Sequence, residues 1–331
     1  VMQDYDFVLA VDAASMKDVY GFLQIDRASP AALKASVVLQ AKNNQAVFKD
    51  LKLQLGKLNL SGDGTWTHKN KRPNFDARLQ ADYIDMVQTF LDLGQAPLPP
   101  KKEGELFRDK PLAWPLLVAM DGVDGKLDAT IARLKLRSGV EVANAKGAMS
   151  FTNDQLNVQH FSGSLLGGTA SGDIVLEGKN QAVQLNLQLN EVSLGGWFKA
   201  SGKKVVINGG PMKVDAKVHT SGASMKDLAA GLNGPVDIRI GSAQILSPGA
   251  GKAEFWLTGL FSSKDSTRID LACASGHLPF QSGVAKGAGI VGARSDVSQL
   301  LTSGEVNFRQ QSVDLRGNVK VRSGVSLGLS N

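Results

Sequence analysis

Four histidines, His68, His160, His219 and His277, are the first place to look for a metal centre. Zinc and its relatives need imidazole, thiolate or carboxylate donors converging on one point, and the local signature is two ligands one helical turn apart. These four lie far apart, and none neighbours another histidine or Cys273. The spacing therefore predicts no metal and no cofactor. A serine nucleophile on a strand-to-helix elbow reads Gly-x-Ser-x-Gly. The nearest run, Ser162-Gly163-Ser164-Leu165-Leu166-Gly167-Gly168, has the wrong spacing and reads as structural. A phosphate loop needs glycines and a lysine opening a helix. Gly283-Val284-Ala285-Lys286-Gly287-Ala288-Gly289 has some of the letters, but no helical periodicity follows, so a pair of β-turns is expected there. Asp121 and Asp124 read as turn carboxylates, whose side chains satisfy local backbone groups. A single cysteine cannot close an internal disulfide. The flanks of Cys273, Ile269-Asp270-Leu271-Ala272-Cys273, read as one strand with the thiol buried as a small hydrophobe. Without a catalytic constellation, the chain is not expected to be an enzyme.

The elements that position these residues follow from composition. At 331 residues, with 43% hydrophobic and 21% charged side chains, the chain can bury a core and is not disordered. Aromatics are only 6% against 36 glycines, which favours many short strands and tight turns. The net charge is +6, but basic residues are scattered, and the densest groups, Lys69, Lys71, Arg72 and Lys101, Lys102, sit in apparent turns or linkers. Only Trp66 lies near such a cluster, so the interleaved aromatics of a nucleic-acid surface are missing and no nucleic-acid partner is expected. No stretch approaches the roughly 18 apolar residues of a membrane span. The start, Val1-Met2-Gln3-Asp4-Tyr5, shows no signal-peptide pattern, and the chain reads as a segment of something longer whose membrane anchor lies outside it.

Period-two alternation is the clearest pattern. Val183-Gln184-Leu185-Asn186-Leu187-Gln188-Leu189-Asn190 puts four apolar side chains on one face of a strand and four amides on the other. Similar alternation covers residues 36–40, 48–55, 75–81, 236–240 and, with interruptions, 305–321. Between Ile131 and Leu134 it slips by one residue, which predicts a β-bulge. A repeat is visible at Leu60-Ser61-Gly62-Asp63 and Ala170-Ser171-Gly172-Asp173, 110 residues apart. Each copy leads through a turn to a strand and then to a helix-like run, 83–91 in the first and 192–198 in the second. Ser303-Gly304-Glu305-Val306 is a looser third copy. The glycine marks either a kink within a strand or a hairpin turn. Short helices open at Ser15-Met16-Lys17-Asp18 and Ser224-Met225-Lys226-Asp227, where serine suits the N-cap and Asp the third helical position. These helices are placed to plug sheet ends. Proline-rich residues 95–115 read as a linker, which divides the chain into a β-rich repeat at 1–94 and β-rich repeats at 116–331.

Several phrases, in order, resemble the AsmA family of bacterial envelope proteins. They are Leu106-Phe107-Arg108-Asp109-Lys110-Pro111-Leu112, the strand run ending near Leu136, Leu166-Gly167-Gly168 with Ser171-Gly172, and Val192-Ser193-Leu194. Ser224 to Leu232 with Asn233-Gly234 follows, then Cys273-Ala274 and Leu278-Pro279-Phe280-Gln281-Ser282-Gly283-Val284-Ala285. The likeness spans about residues 34 to 321. It implies a mainly β fold of curved antiparallel repeating sheets with a few short capping helices, forming an apolar groove similar to that of TamB-like and bridge-like lipid transfer proteins. It further implies a periplasmic body anchored to the inner membrane, holding phospholipid acyl chains in transport between inner and outer membranes and in outer-membrane homeostasis. The residues expected to line the groove are Val37, Leu39, Leu51, Leu53, Leu60, Phe75, Leu79, Ile174, Leu176, Val183, Leu185, Leu187, Leu189, Val306, Phe308, Val313 and Leu315. Alternation looks the same in a closed sandwich core. The second reading is therefore a closed β-scaffold that binds envelope proteins or glycans and aids outer-membrane protein assembly.

Overall fold

The computed structural model describes residues 5–22, 24–25, 29–42, 45–69, 72–97, 106–112, 123–152, 154–200, 206–246 and 268–321. Lys71, Lys101, Lys102, Asp121, and within the linker 98–105 and 113–115, lie outside them. The chain forms two compact units. The described residues are mainly strand, antiparallel but for one pair, with four short helices.

The first unit comprises Val1–Lys102, Ala113–Ser164 and Asp173–Lys179. Its elements are β1 (Tyr5–Ala13), α1 (Met16–Phe22), β2 (Leu33–Lys42), β3 (Gln45–Leu55), β4 (Leu58–Lys69), β5 (Arg72–Asp85), α2 (Met86–Asp92), β6 (Asp124–Lys135), β7 (Glu141–Thr152), β8 (Gln155–Leu165) and the second half of β9 (Gly168–Glu177). The strands lie side by side in chain order. An antiparallel neighbour needs only a hairpin, whereas a parallel one needs a long return. The exception to the antiparallel expectation follows that rule: β5 runs on into α2, a long connection follows, and β6 lies parallel to β5.

The second unit comprises Glu103–Leu112, Leu165–Gly172 and Asn180–Asn331. After the first half of β9 come β10 (Ala182–Ser193), α3 (Leu194–Ala200), β11 (Val206–Gly209), β12 (Pro211–Ser221), α4 (Met225–Ala230), β13 (Gly234–Ile240), β14 (Ala243–Leu246), β15 (Arg268–Leu271), β16 (Cys273–Gln281), β17 (Val284–Arg294), β18 (Ser298–Asn307) and β19 (Ser312–Val321). Strands β10, β12, β13, β16, β17, β18 and β19 are neighbours in that order, and β11, β14 and β15 form a separate small sheet. Among the described residues β1 pairs only with β2 and β19 only with β18, so no barrel closes.

The repeat has a physical basis. In β3 an extra residue, Asp50, takes a left-handed φ of 51° and the β2–β3 and β3–β4 registers shift beside it. Its N–H is accepted by the carboxylate of Asp63 at 3.0 Å. In β8, 110 residues on, His160 has φ 50° and donates its N–H to Asp173 at 2.9 Å. The aspartate that follows each Ser-Gly thus takes a backbone donor that the bulge would leave unpaired. The glycines sit inside β4, β9 and β18, which settles the choice between strand and hairpin turn. At Gly62 a Cβ would run into the Arg78 carbonyl of the next strand, and at Gly304 into that of Asp314. Only glycine permits those close approaches.

Helix starts are set by their caps. Ser15 Oγ accepts the Asp18 N–H at 3.3 Å, and Ser224 with Asp227 makes a full capping box before α4. The first helix-like run starts later than its letters suggest. Residues 83–85 remain in β5, and Asp85 then caps α2 by accepting from the N–H groups of Val87 and Gln88. Likewise residues 192–193 stay in β10 and α3 starts at Leu194.

Three further expectations are corrected. No bulge separates Ile131 from Leu134, since β6 keeps one register with both β5 and β7 from Gly125 to Lys135. The apparent slip arises because Arg133, not an apolar residue, holds the next position on the apolar face, its guanidinium 5.2 Å from the Tyr83 ring centre. Residues 269–273 are not one strand: β15 ends at Leu271 in the small sheet and β16 begins at Cys273, which is exposed. Asp124 lies in β6 and not in a turn, paired with Arg72 at 3.3 Å.

Gly62→Ala is expected to lower the unfolding free energy by about 1–3 kcal/mol through the clash with the Arg78 carbonyl. Asp50→Gly removes a strained left-handed residue and should leave stability unchanged or raise it by up to ~1 kcal/mol. Urea unfolding of the two variants checks both.

Candidate functional site

Directly paired residues share a face of the sheet, so register carries the alternation of one strand to the next. In the first unit one row runs Val11, Ala35, Leu53, Leu60, Ala81, Ile131, Ala145 from β1 to β7. A second runs Phe7, Leu39, Phe48, Gly64, Ala77, Leu127, Met149 on the same side. The opposite face reads Ser36, Lys52, Ser61, Gln80, Thr130, Lys146 across β2 to β7. One face is wholly apolar along these rows and the other wholly polar.

The bulge at Asp50 preserves this division. Phe48 and Leu51 differ in parity, yet pair with Gly64 and Gly62, which share a face of β4. Gly64 leaves space that the Phe48 ring fills, and Gly125 does the same for Phe75. Phe75 lies 5.7 Å from Phe151. Phe151 and Leu156 are buried there among Phe75, Leu127, Met149, Val158 and Leu176. At one end α1 seals β2 to β4, with Met16 and Tyr20 buried against Leu55 and packed by Leu33, Leu58 and Leu93. The Tyr20 hydroxyl donates to the Leu93 carbonyl at 2.9 Å, which ties α1 to the end of α2.

In the second unit a row crosses seven strands: Leu189, Val214, Ile238, Gly276, Val291, Thr302, Gly317. The other face carries Gln188, Asp215, Asp237 and His277 in one cross-strand line, with His277 Nδ1 2.7 Å from Asp237. Phe280, on the apolar face opposite Ala285, stacks on Phe308 at 4.7 Å, and Phe107 meets Phe308 edge-on at 5.2 Å. Residues 106–112 are strapped down here. The N–H groups of Leu106 and Phe107 donate to Gln311 Oε1 at 2.8 and 3.2 Å, and Asp109 pairs with Lys226 at 2.8 Å.

The expected lining residues fall as follows. Val37, Leu39, Leu51, Leu53, Leu60, Phe75 and Leu79 share the apolar face of the first unit by register and alternation. Leu176 joins them through its packing on Phe151 and Leu156, and Ile174 by alternation on the same strand. In the second unit Val183, Leu185, Leu187, Leu189, Val306, Val313 and Leu315 share one face. Phe308 sits just past the end of β18, in the aromatic cluster. Leu189 is buried and Val313 is 62% exposed; the other fifteen are half-buried. Residues such as Phe48, Leu127, Ile131 and Val214 occupy the same faces without having been singled out. Glycine and alanine dilute the alternation around them, and only the register assigns them.

Past Ile131 the face of β6 changes character. Arg133 lies beside Tyr83 and Lys135 beside Asp85 in the parallel ladder. Lys135 bonds Asp85 at 3.0 Å, and Arg137 lies 4.8 Å from the Phe90 ring centre. Burial pushes the Asp85 pKa up, but the Gln88 N–H, the Lys135 ammonium and the Val87 N–H outweigh it, and the net shift is downward. The hydrogen bond to Asp85 raises Lys135 in turn. Among the described residues no group of three or more His, Cys, Asp or Glu side chains is placed to hold a metal ion, and no helix is long and apolar enough to cross a membrane.

The model of the AsmA family matches residues 22–286. No curated protein and no solved structure matched the chain.

Two measurements test these assignments. Leu156→Ala, in the buried cluster, should cost about 2–5 kcal/mol. Leu187→Ala, on the half-buried face, should cost less than ~1.5 kcal/mol by chemical denaturation, because less area is returned to water. Asp85 has a depressed folded pKa, so its contribution is complete above about pH 4 and is lost as pH falls through the folded value. Asp85→Asn should therefore flatten the acid limb of the stability–pH curve below that point.

Proposed function

Because this chain belongs to the AsmA family, we propose that its apolar sheet face holds the acyl chains of phospholipid, as the periplasmic part of an inner-membrane-anchored protein serving lipid transport and outer-membrane homeostasis. The observation that carries the reading is that in the cross-strand rows of the first unit only the small Ala77 and Ala81 are buried, the large apolar side chains such as Leu53, Leu60, Leu127 and Ile131 are half-buried, and the opposite face is polar. A sandwich core would interlock such rows with an opposing layer and bury them fully.

Transfer energetics give the face a task. An acyl chain leaving a bilayer exposes its methylenes at roughly 0.8 kcal/mol each, so a ~15-carbon chain faces about 12 kcal/mol in water. A continuous apolar surface lowers that barrier without any covalent step, so the proposed role is non-enzymatic. Sequence-tolerant contact with hydrocarbon also fits a lining of Leu, Val, Ala and Phe, which offers area and no directional hydrogen bonds. The partner on this reading is the phospholipid tail, and the polar outer face meets solvent or other envelope components.

Leu185→Asp with Leu187→Asp decides between this reading and a closed scaffold. Charges on an open face leave the protein folded, whereas charges in a sealed core unfold it. Wild type purified from membranes is expected to release phospholipid on solvent extraction, read by mass spectrometry, and the folded double variant to release at least about tenfold less. Repeated lipid-free preparations of wild type, or collapse of the variant's circular dichroism, would overturn the proposal.

A further inference from the structure

In the first unit the apolar face of β5 and β6 ends, beyond Ala81 and Ile131, in a charged rim that carries three cations. Along β5 the face reads Phe75, Ala77, Leu79, Ala81 and then Tyr83 and Asp85; along β6 it reads Leu127, Ala129, Ile131 and then Arg133 and Lys135. Two neighbouring strands thus switch from hydrocarbon to charge at the same level. Arg137 follows in the next turn, with its guanidinium over Phe90 of α2.

The three cations of this rim differ in commitment. Lys135 is held by Asp85, which also caps α2, and Glu141 lies directly opposite it on β7. Arg133 and Arg137 instead lie over aromatic rings, and neither meets a carboxylate among the described residues. Arg133 is exposed, and its direct neighbours are Tyr83 on one side and Ala143 on the other. Stacking on a ring restricts a guanidinium while leaving its N–H edge available, and that planar edge matches the oxygens of a phosphate.

We propose that Arg133 and Arg137 form a headgroup seat for the phosphate of an anionic amphiphile whose tails lie along the apolar face that begins at Ile131 and Ala81. The inference rests on the trough reading above and adds the polarity of the ligand and its direction: phosphate at the α2 end, tails toward Leu127 and Phe75. Lys135, held by Asp85, adds charge at the seat without competing for the same contacts. If the arginines merely shield Tyr83 and Phe90, their loss changes stability and leaves ligand preference untouched.

The test is calorimetric titration of the whole chain with three probes: dihexanoylphosphatidate, dihexanoylglycerol, which has the same tails without phosphate, and glycerol 3-phosphate, which has the phosphate without tails. Phosphatidate is expected to bind about tenfold tighter than the neutral glyceride, the worth of one or two charge-assisted hydrogen bonds. Arg133→Gln with Arg137→Gln should erase that difference and leave glyceride binding intact. Arg133→Lys with Arg137→Lys should restore part of it, since charge returns without the fork. Unfolding midpoints of the variants report any loss of fold. Equal binding of both lipids, unchanged in the glutamine variant, overturns the seat and leaves the trough standing. Tight glycerol 3-phosphate binding lost in that variant indicates a free-anion site and also overturns the seat. Failure of both lipids to bind wild type removes the trough and the seat together.

Discussion

A strand sends successive side chains to opposite faces, and the apolar face of this chain depends on keeping that division intact across many strands. A single residue inserted without compensation would turn the rest of β3 over and put Phe48 among lysines. The chain makes such an insertion at Asp50 and neutralises it, because the extra residue takes a left-handed turn and its stray N–H is taken by Asp63. The same device recurs at His160 with Asp173. A bulge bends its strand and increases local twist. The repeated Ser-Gly-Asp therefore bends the sheet while preserving which side is apolar. The pairing of Leu51 with Gly62 and of Phe48 with Gly64 on one face is the result.

Stability in such a fold has sources other than a filled interior. Hydrogen-bond ladders account for the strands, and buried side chains form discrete clusters: Met16, Tyr20 and Leu55 under α1, and Phe151 with Leu156 midway along the first unit. In the second unit Phe280, Leu228 and Ala229 are buried near α4 and the Phe107–Phe308 pair. Caps fix where the helices begin, so the plugs stand at set positions. Apolar area between these clusters remains half-covered. The fold is held at anchor points, and the stretches between them are available for contact with something else.

How much of this was legible varies with the physics behind each residue. The strand at 183–189 announces itself because Leu and Val alternate with Gln and Asn, and all four apolar residues share a face. The repeat was legible as letters, but its reason was not, since the bond from the Asp50 N–H to the Asp63 carboxylate exists only once β3 and β4 pair. The reading of β6 failed at Arg133 because alternation treats a cation as belonging outside. The ring of Tyr83, on a strand distant in sequence, lets the guanidinium occupy the apolar side. The parallel β5–β6 pair was invisible for a similar reason, as pairing direction depends on where a long connection returns. At Cys273 local pattern joined two strands that belong to different sheets, and the exposed thiol follows from its place at the start of β16.

An apolar face left half-covered is a liability in water, since contiguous exposed patches of more than a few hundred Å² mark interaction sites or aggregation sites. Folded chains blunt this with charge, and here the charge is almost all on the other side: Lys52, Lys146, Asp215 and Asp237 lie on the polar faces. The apolar side keeps its few charged groups at its margins, as at Arg133 and Lys135. The parity kept through the bulge at Asp50 shows that the sequence maintains the face. On the proposed function an occupant completes it. Hydrocarbon that binds the folded sheet and not the unfolded chain stabilises the fold by mass action. The alternation that creates the face would then serve folding and transport through the same buried area.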